Sequence, residues 1–282
     1  MSQGLLKETE LNPFATEAMM TADIDLSGRV AIVTGASRGL GQYFSRALAR
    51  AGADVVITSR TLESLAQTKA DIGAMGRKAL PCVLDVRKLE TVQPMVDQAM
   101  AQFGKIDILV NNAGCNIRKP SVDITPDDWA FVVDTILRGS FFVSTAVVRT
   151  AMLRQNRGRI INIGSGTSMF GFPGIVPYCA SRGGITQMTK ALAAEWAPVG
   201  ITVNVLAPGW FKTAQNAILY EDPEWVANVT EKIPVGRTGL PNDMDGAVVF
   251  LASDASAYVT GQLLFVDGGF TIGAMRATPK KK

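Results

Sequence analysis

The chain has 282 residues, 47% of them hydrophobic and 19% charged, enough apolar material for one large α/β domain or two small ones. The formal net charge is +3, and part of the excess is the terminal run Lys280, Lys281 and Lys282, so the composition points to neither a nucleic-acid face nor a membrane surface. The three cysteines, Cys82, Cys115 and Cys179, have no metal-ligand spacing and are odd in number, which points to free thiols, no metal and a reducing, cytoplasmic location; with no histidine in the chain, proton transfer falls to Tyr, Lys or carboxylates.

Residues 1–25 carry Lys7, Glu8, Glu10 and Glu17 among scattered apolar side chains. They are expected to form an N-terminal extension, either a mobile arm or a segment packed on a neighbouring subunit, and not a signal peptide or membrane anchor. One domain is expected over 26–273, followed by a basic tail over 274–282. The apolar run Val30 to Val33 predicts a strand, and Phe44, Ala47, Leu48 and Ala51 predict a helix. Between them lies Thr34-Gly35-Ala36-Ser37-Arg38-Gly39-Leu40-Gly41. Its glycines permit a tight turn and remove the Cβ atoms that would keep a pyrophosphate from the helix N-terminus, so a dinucleotide is the expected ligand, although a tight turn in any α/β protein would use similar glycines.

Further strands are expected at Asp54 to Thr58, Ala79 to Leu84, Ile106 to Val110, Arg159 to Ile163, Ile201 to Leu206 and Gln262 to Val266. Helical segments are expected around Leu62 to Ile72, over Val92 to Phe103, from about Asp127 to Leu153, from Pro177 to about Pro198, and from Pro241 to Ala252. The long helix opens on Thr125-Pro126-Asp127-Asp128, a cap, a first-turn proline and two acids beside the positive helix end. Trp210 to Pro234 has no continuous helical period and is expected to be a mobile, partly helical insertion serving a site. Alternation of strand and helix with short loops implies right-handed crossovers and a parallel sheet.

Ser165 closes one strand and Tyr178 opens the next helix, so both belong at the carboxyl edge of the sheet, where open α/β folds bind ligands. Tyr178 and Arg182 are four residues apart and share a helix face. A cation beside a phenol favours phenolate, but a Tyr and a basic residue at this spacing are equally an ordinary surface pair.

Taken together, Thr34-Gly35-x-x-x-Gly39-x-Gly41, Asn111-Asn112-Ala113-Gly114, Ser165 thirteen residues before Tyr178, and Pro208-Gly209 followed by Thr213 resemble the short-chain dehydrogenase/reductase family over about Leu26 to Ile272. The resemblance implies a single Rossmann-type domain, a seven-stranded parallel sheet with helices on both faces, that exchanges hydride between a nicotinamide cofactor and an alcohol or carbonyl. It implies that Tyr178 is the acid/base, that Ser165 positions the substrate oxygen, and that Gly35, Gly39 and Gly41 face the pyrophosphate, with Ser37, Arg38 and Leu40 of the same turn also binding the cofactor. It also implies Asp85 and Val86 beside the adenine, Asn111 and Ala113 beside the ribose and Thr213 near the carboxamide, with Gly114, Pro208 and Gly209 also binding the cofactor. Arg182 stands where the family has Lys, and counting back from Gly139 and Phe141 puts Ile136 where the family has Asn. In the family those two residues hold a water chain that returns protons to the Tyr. Both members are altered here, so slowed or rerouted reprotonation, a different helix register with another relay, and a nucleotide-binding protein with weak or no catalysis all stand as readings.

The second strand ends in Ser59 and Arg60, with no carboxylate to take a ribose 2′-hydroxyl. With Arg38, two guanidiniums and a hydroxyl suit a phosphate dianion, so NADP(H) is expected over NAD(H). The segments Asn111 to Pro120 and Pro208 to Thr213 resemble sugar-acid members of the family, such as gluconate 5-dehydrogenases and deoxygluconate dehydrogenases. Arg118 would then pair with a substrate carboxylate; alternatively Trp210, Phe211 and Trp225 form an apolar lid over a bulkier ketone. The resemblance further implies a homodimer or homotetramer.

Overall fold

Short apolar runs buried on both faces form the central strands, because a parallel sheet covered on both sides accommodates side chains pointing both ways into a core. The computed structural model describes residues 24–213 and 216–273. Most of the expected extension over 1–25, and the whole tail over 274–282, therefore lie outside the described residues. The chain runs β1 (Val30–Val33), α1 (Gly39–Arg50), β2 (Asp54–Ser59), α2 (Ala66–Ala74), β3 (Ala79–Val83), α3 (Val92–Phe103) and β4 (Ile108–Asn111). It continues through α4 (Pro126–Gln155), β5 (Gly158–Ile163), α5 (Val176–Trp196), β6 (Ile201–Pro208), α6 (Pro223–Glu231), α7 (Asp245–Ala252) and β7 (Leu263–Val266).

The seven strands lie in the order β3-β2-β1-β4-β5-β6-β7 and every pairing is parallel. All carboxyl ends therefore meet at one edge, and the order reverses between β1 and β4. Period-2 alternation divides β1 between two cores. Ala31 and Val33 join the cluster under α1 and α7, while Val30 and Ile32 join the one under α3, α4 and α5. The fold is the single seven-stranded Rossmann-type domain expected from the sequence.

Local boundaries follow local chemistry. The Thr125 hydroxyl accepts from Asp128 N at 3.1 Å and the Asp128 carboxylate accepts from Thr125 N at 3.1 Å, a reciprocal cap that starts α4. A hydrogen bond from Lys119, then one from the Thr125 backbone, hold the Asp128 carboxyl below the usual carboxylate range. α4 contains two π-helical turns, Asp134–Arg138 and Val148–Met152. Its length and apolar composition would suffice to cross a bilayer, and half of its most apolar window is buried in the protein. β4 starts at Ile108, two residues later than expected, and just before it the Asp107 carboxylate accepts from Val30 N at 2.9 Å. Within 210–234 the structure has a 3₁₀ turn at Ala217–Glu221 and α6, whose first amides, Glu224 N and Trp225 N, donate to Asp222 at 2.9 and 3.2 Å.

Far from the carboxyl edge, Asp254 ties three strand-end cations together. It pairs with Arg29 and Arg159 at 3.1 Å each and with Arg157. Arg159 has only 7% of its side chain exposed, so its charge depends on this partner. Burial opposes the charge of Asp254, but the Arg157 hydrogen bond and the charges of Arg157, Arg29 and Arg159 outweigh it, and its carboxyl titrates below the usual range. A lowered folded pKa stabilises above the unfolded value, about 3.9, and that contribution disappears as pH falls through the folded pKa. Asp254→Asn is expected to lower unfolding stability by about 2 kcal/mol at neutral pH, less than for a fully buried pair because Asp254 is itself partly solvated. Urea unfolding at pH 7 and at pH 3 checks this, and the difference between the two proteins should shrink at the lower pH.

Candidate functional site

The carboxyl edge carries a cavity of about 1020 Å³. One end is built on the turn from Thr34 to Gly41. Gly35 and Gly39 have φ of +66° and +58°, conformations that L side chains rarely adopt. A Cβ on Gly41 would stand 2.2 Å from Gly35 O and 2.5 Å from Asn112 Nδ2. Asn112 Nδ2 donates to Thr34 O and Gly35 O at 2.9 and 3.1 Å, and Thr34 Oγ1 accepts from Asn112 N and Ala113 N at 2.9 and 3.0 Å. The turn is thus pinned to the segment after β4. It delivers the start of α1 to the cavity with no side-chain cap and no acid in the first turn, so its amides and positive dipole end face the space.

Arg38 and Arg60 line this end, both exposed, and among the described residues no carboxylate pairs with either. The Ser59 hydroxyl also lines it, but donates to Thr61 O at 3.0 Å and sits 2.5 Å from Ser64 Oγ, which brings Ser64 into the wall. Ser37, Gly39, Leu40, Asp85 and Val86 are in the wall as well, and so are Ala113, Gly114, Pro208, Gly209 and Thr213. Asp85 accepts from Arg87 N at 3.1 Å, which fixes the loop after β3. Asn111 is absent from the wall: it is 3% exposed, and its amide donates to Ser144 Oγ and Asn162 Oδ1 at 2.8 Å each, beneath the cavity. Expected beside a ribose, it ties β4 to α4 and β5 instead. The next residue, Asn112, is the one in the wall, because successive side chains at a strand end point to opposite sides.

The middle of the cavity holds Ser165 and Tyr178. Ser165 Oγ accepts from Thr167 N at 3.2 Å, which leaves its own proton free for a ligand. Among the described residues no hydrogen bond joins Ser165 to Tyr178. One turn along α5, Arg182 lies under the phenol with Cζ 4.8 Å from the ring centroid. Its Nη1 donates to Ile163 O, its Nε is buried without a partner, and a Cβ on Gly114 would stand 3.0 Å from its Nη2. Ile136 lies in the first π-turn of α4, fully buried with Val132, Ile185, Val205 and Ala207, and Tyr178 packs against that cluster. The π-turn puts Thr135 on the cavity wall, its hydroxyl donating to Phe131 O at 2.6 Å.

The outer end carries Arg118 and Trp210, as expected, and aromatic rings that sequence spacing did not reveal: Phe170, Phe172 and Phe270. Arg118 Cζ stands 5.6 Å from the Phe172 centroid. Trp210 meets Trp225, Phe270 and Phe172 at centroid distances of 5.1, 6.0 and 6.2 Å. Phe211 lines the same cavity as Trp210, but it is 5% exposed and also joins the core under α1 and α7, where Gly239 leaves it room. Cys115 also lines the cavity, and burial pushes its thiol pKa up, which keeps it a neutral thiol that donates to Phe131 O.

A family model described as enoyl-(acyl carrier protein) reductase matches residues 35–271. The chain is 39% identical over 252 residues to a 2-dehydro-3-deoxy-D-gluconate 5-dehydrogenase of Escherichia coli, covering 89% of this chain and 99% of that protein. It is 42% identical over 247 residues to a gluconate 5-dehydrogenase of Gluconobacter oxydans, covering 88% and 96%. A crystal structure of a gluconate 5-dehydrogenase from Burkholderia cenocepacia, in complex with NADP and tartrate, superposes with a TM-score of 0.86 at 41% identity, covering 89% of this chain and 98% of that one. With a family match over residues 35–271 and such identity across nearly the whole length of these relatives, the chain belongs to the short-chain dehydrogenase/reductase family.

Proposed function

We propose that the protein is an oxidoreductase that uses NADP(H), in preference to NAD(H), to interconvert a secondary alcohol and a ketone on a small carboxylate-bearing molecule of the sugar-acid class. The observation that carries the reading is one cavity with an uncapped helix N-terminus and two guanidiniums without a carboxylate partner among the described residues at one end, and a serine and a tyrosine at its middle. The tight turn fits a dinucleotide, because glycine at position 41 lets the start of α1 close onto Gly35 O and Asn112 Nδ2 and present its uncapped end to the cavity. Arg38 and Arg60 suit the dianion of a 2′-phosphate. The NADP bound by the gluconate 5-dehydrogenase of B. cenocepacia supports the same cofactor.

When bound, the nicotinamide supplies or accepts the hydride. Ser165 donates its free hydroxyl proton in a hydrogen bond to the substrate oxygen. Tyr178 gives that oxygen a proton in the direction of reduction and takes one in the direction of oxidation. Arg182, a donor that does not release a proton, supplies a fixed charge under the phenol, and Arg118 pairs with the substrate carboxylate. The three free thiols suit a reducing, cytoplasmic compartment. Exposed Phe141, Phe142 and Leu153 along α4 support self-association as a homodimer or homotetramer with the small molecule as the other partner.

A second reading, a nucleotide-binding protein with little catalysis, draws on the dry packing of Ile136 and on Arg182, whose Nη1 is already held by Ile163 O. Tyr178→Phe separates the two: on the enzyme reading kcat falls about 10²- to 10⁴-fold, whereas a binding protein shows no Tyr-dependent turnover to lose. Arg182→Lys combined with Ile136→Asn is expected to raise turnover and change its solvent isotope effect; if neither moves, reprotonation does not limit the reaction. Arg60→Ala with Arg38→Ala is expected to weaken NADPH binding about tenfold or more while NADH binding changes little, as titration of each nucleotide reads out. Equal catalytic efficiency of the unaltered protein with NADH would overturn the cofactor assignment. Light scattering should return a mass of two or four chains.

A further inference from the structure

We infer that the aromatic wall around Trp210 is a stacking subsite for a six-membered ring in the substrate, and that Arg118 at its edge holds a carboxylate carried by that ring. The inference rests on the proposed oxidoreductase reading of the same cavity and narrows its substrate class from small acids in general to cyclic ones.

The wall is assembled from separate parts of the chain. Phe172 comes from the segment between β5 and α5, Trp210 from the end of β6, Trp225 from α6 and Phe270 from the turn after β7. Trp210 is the hub, with interplanar angles of 83° to Trp225, 85° to Phe270 and 65° to Phe172. Edge-to-face contacts of this kind fix an indole in orientation without covering it with another stacked ring. Trp225 and Tyr220, 5.4 Å apart, are not among the cavity-lining residues and brace Trp210 from outside it. Phe172, Trp210 and Phe270 border the same cavity as Ser165 and Tyr178. A rigid, half-buried aromatic surface suits the axial C–H groups of a saturated ring or the face of a flat one.

The polar inventory of this end argues in the same direction. Beyond Ser165 and Tyr178, it offers Arg118, which has no carboxylate partner among the described residues, whereas Asn116 Oδ1 and Thr167 Oγ1, though without partners among those residues, are closed to solvent. The guanidinium suits a carboxylate, and few other polar groups at this end face a ligand. An extended polyol would leave further hydroxyls desolvated against carbon, at a cost in affinity. Arg118 lies over Phe172, so the anion site adjoins the ring site.

The test compares 4-oxocyclohexanecarboxylate with 5-oxoheptanoate, equal in charge, carbon count and spacing of ketone from carboxyl and differing in the ring, by calorimetric titration of the full chain in the presence of NADP⁺. Glucuronate adds an arm that separates a pyranose from an alicyclic ring. At least one ring acid is expected to bind ten times or more tighter than 5-oxoheptanoate, Trp210→Ala should erase that ratio, and Trp210→Phe should restore most of it. Arg118→Ala should weaken the ring and open-chain acids alike. NADP⁺ affinity and the melting temperature of each variant report whether it is folded, and Phe270→Ala provides a second cut in the wall should Trp210→Ala unfold. Equal or tighter binding of the open-chain acid, no binding of any acid, or a ratio that survives both wall variants overturns the inference. If the ring acids bind with the expected ratio but no ketone is reduced with NADPH, the subsite stands and the oxidoreductase reading falls.

Discussion

Thr34 and Asn112 bind the ends of two neighbouring strands to each other, and the cavity depends on that attachment. β1 and β4 are adjacent in the sheet, yet the chain leaves β1 toward β2 and β3 and returns to β4 only after three helices. Their following segments diverge and open the crevice in which such sheets bind ligands. Thr34 N donates to Val110 O at 3.0 Å, continuing the ladder by one residue. The Asn112 amide then holds Thr34 O and Gly35 O, and with no Cβ at position 41 the start of α1 closes to contact distance. A side chain anywhere in this contact would move the helix, and the amides that make its end an anion site would move with it.

Beneath the crevice a buried polar chain fixes the chemistry to the same frame. Asn111 bonds Ser144 of α4 and Asn162 of β5, and Asn162 in turn donates to Thr189 of α5 at 2.9 Å. Two strands and the two longest helices are joined in a region closed to water, where each such bond specifies one arrangement and a broken one is costly. α5 carries both Tyr178 and Arg182, so the network that orients α5 also orients the phenol relative to the strand end that presents Ser165. Asn111 therefore contributes to the site through position, and its side chain never reaches the cavity.

The parts legible in the sequence are those encoded by nearby residues. Buried strands announce themselves as short apolar runs, the glycine turn by its own spacing, and the cap of α4 by Thr125 and Asp128 within one turn. Ser165 and Tyr178 were legible because strand ends of a parallel sheet converge whatever the intervening sequence. Less legible was whatever tertiary packing decides. Phe172 and Phe270 look like ordinary apolar residues until four distant segments meet at Trp210. Phe211 follows Trp210 in sequence and lines the cavity with it, but its depth in the core, 5% exposed, is set by packing that adjacency does not reveal. The π-turn at Asp134–Arg138 adds a residue to one turn of α4, a shift that apolar period alone does not reveal.

That same turn bears on the proton route. An ammonium and an amide side chain at positions 182 and 136 would leave room and partners for water between α4 and α5. The guanidinium of Arg182 instead spreads from the face of Tyr178 to Ile163 O and toward Gly114, with Nε unpartnered, and Ile136 seals the helix side with carbon. The charge under the phenol is retained, but a guanidinium only donates and does not pass a proton on. On the proposed enzyme reading, Tyr178 must then recover its proton through the cavity that it lines. Filling the cavity with substrate narrows that route at the moment it is needed, so binding and proton return compete for the same space. Weak catalysis and tight nucleotide binding would be compatible outcomes of this geometry, because the nucleotide end is pinned by Asn112 and is indifferent to what happens beneath Tyr178.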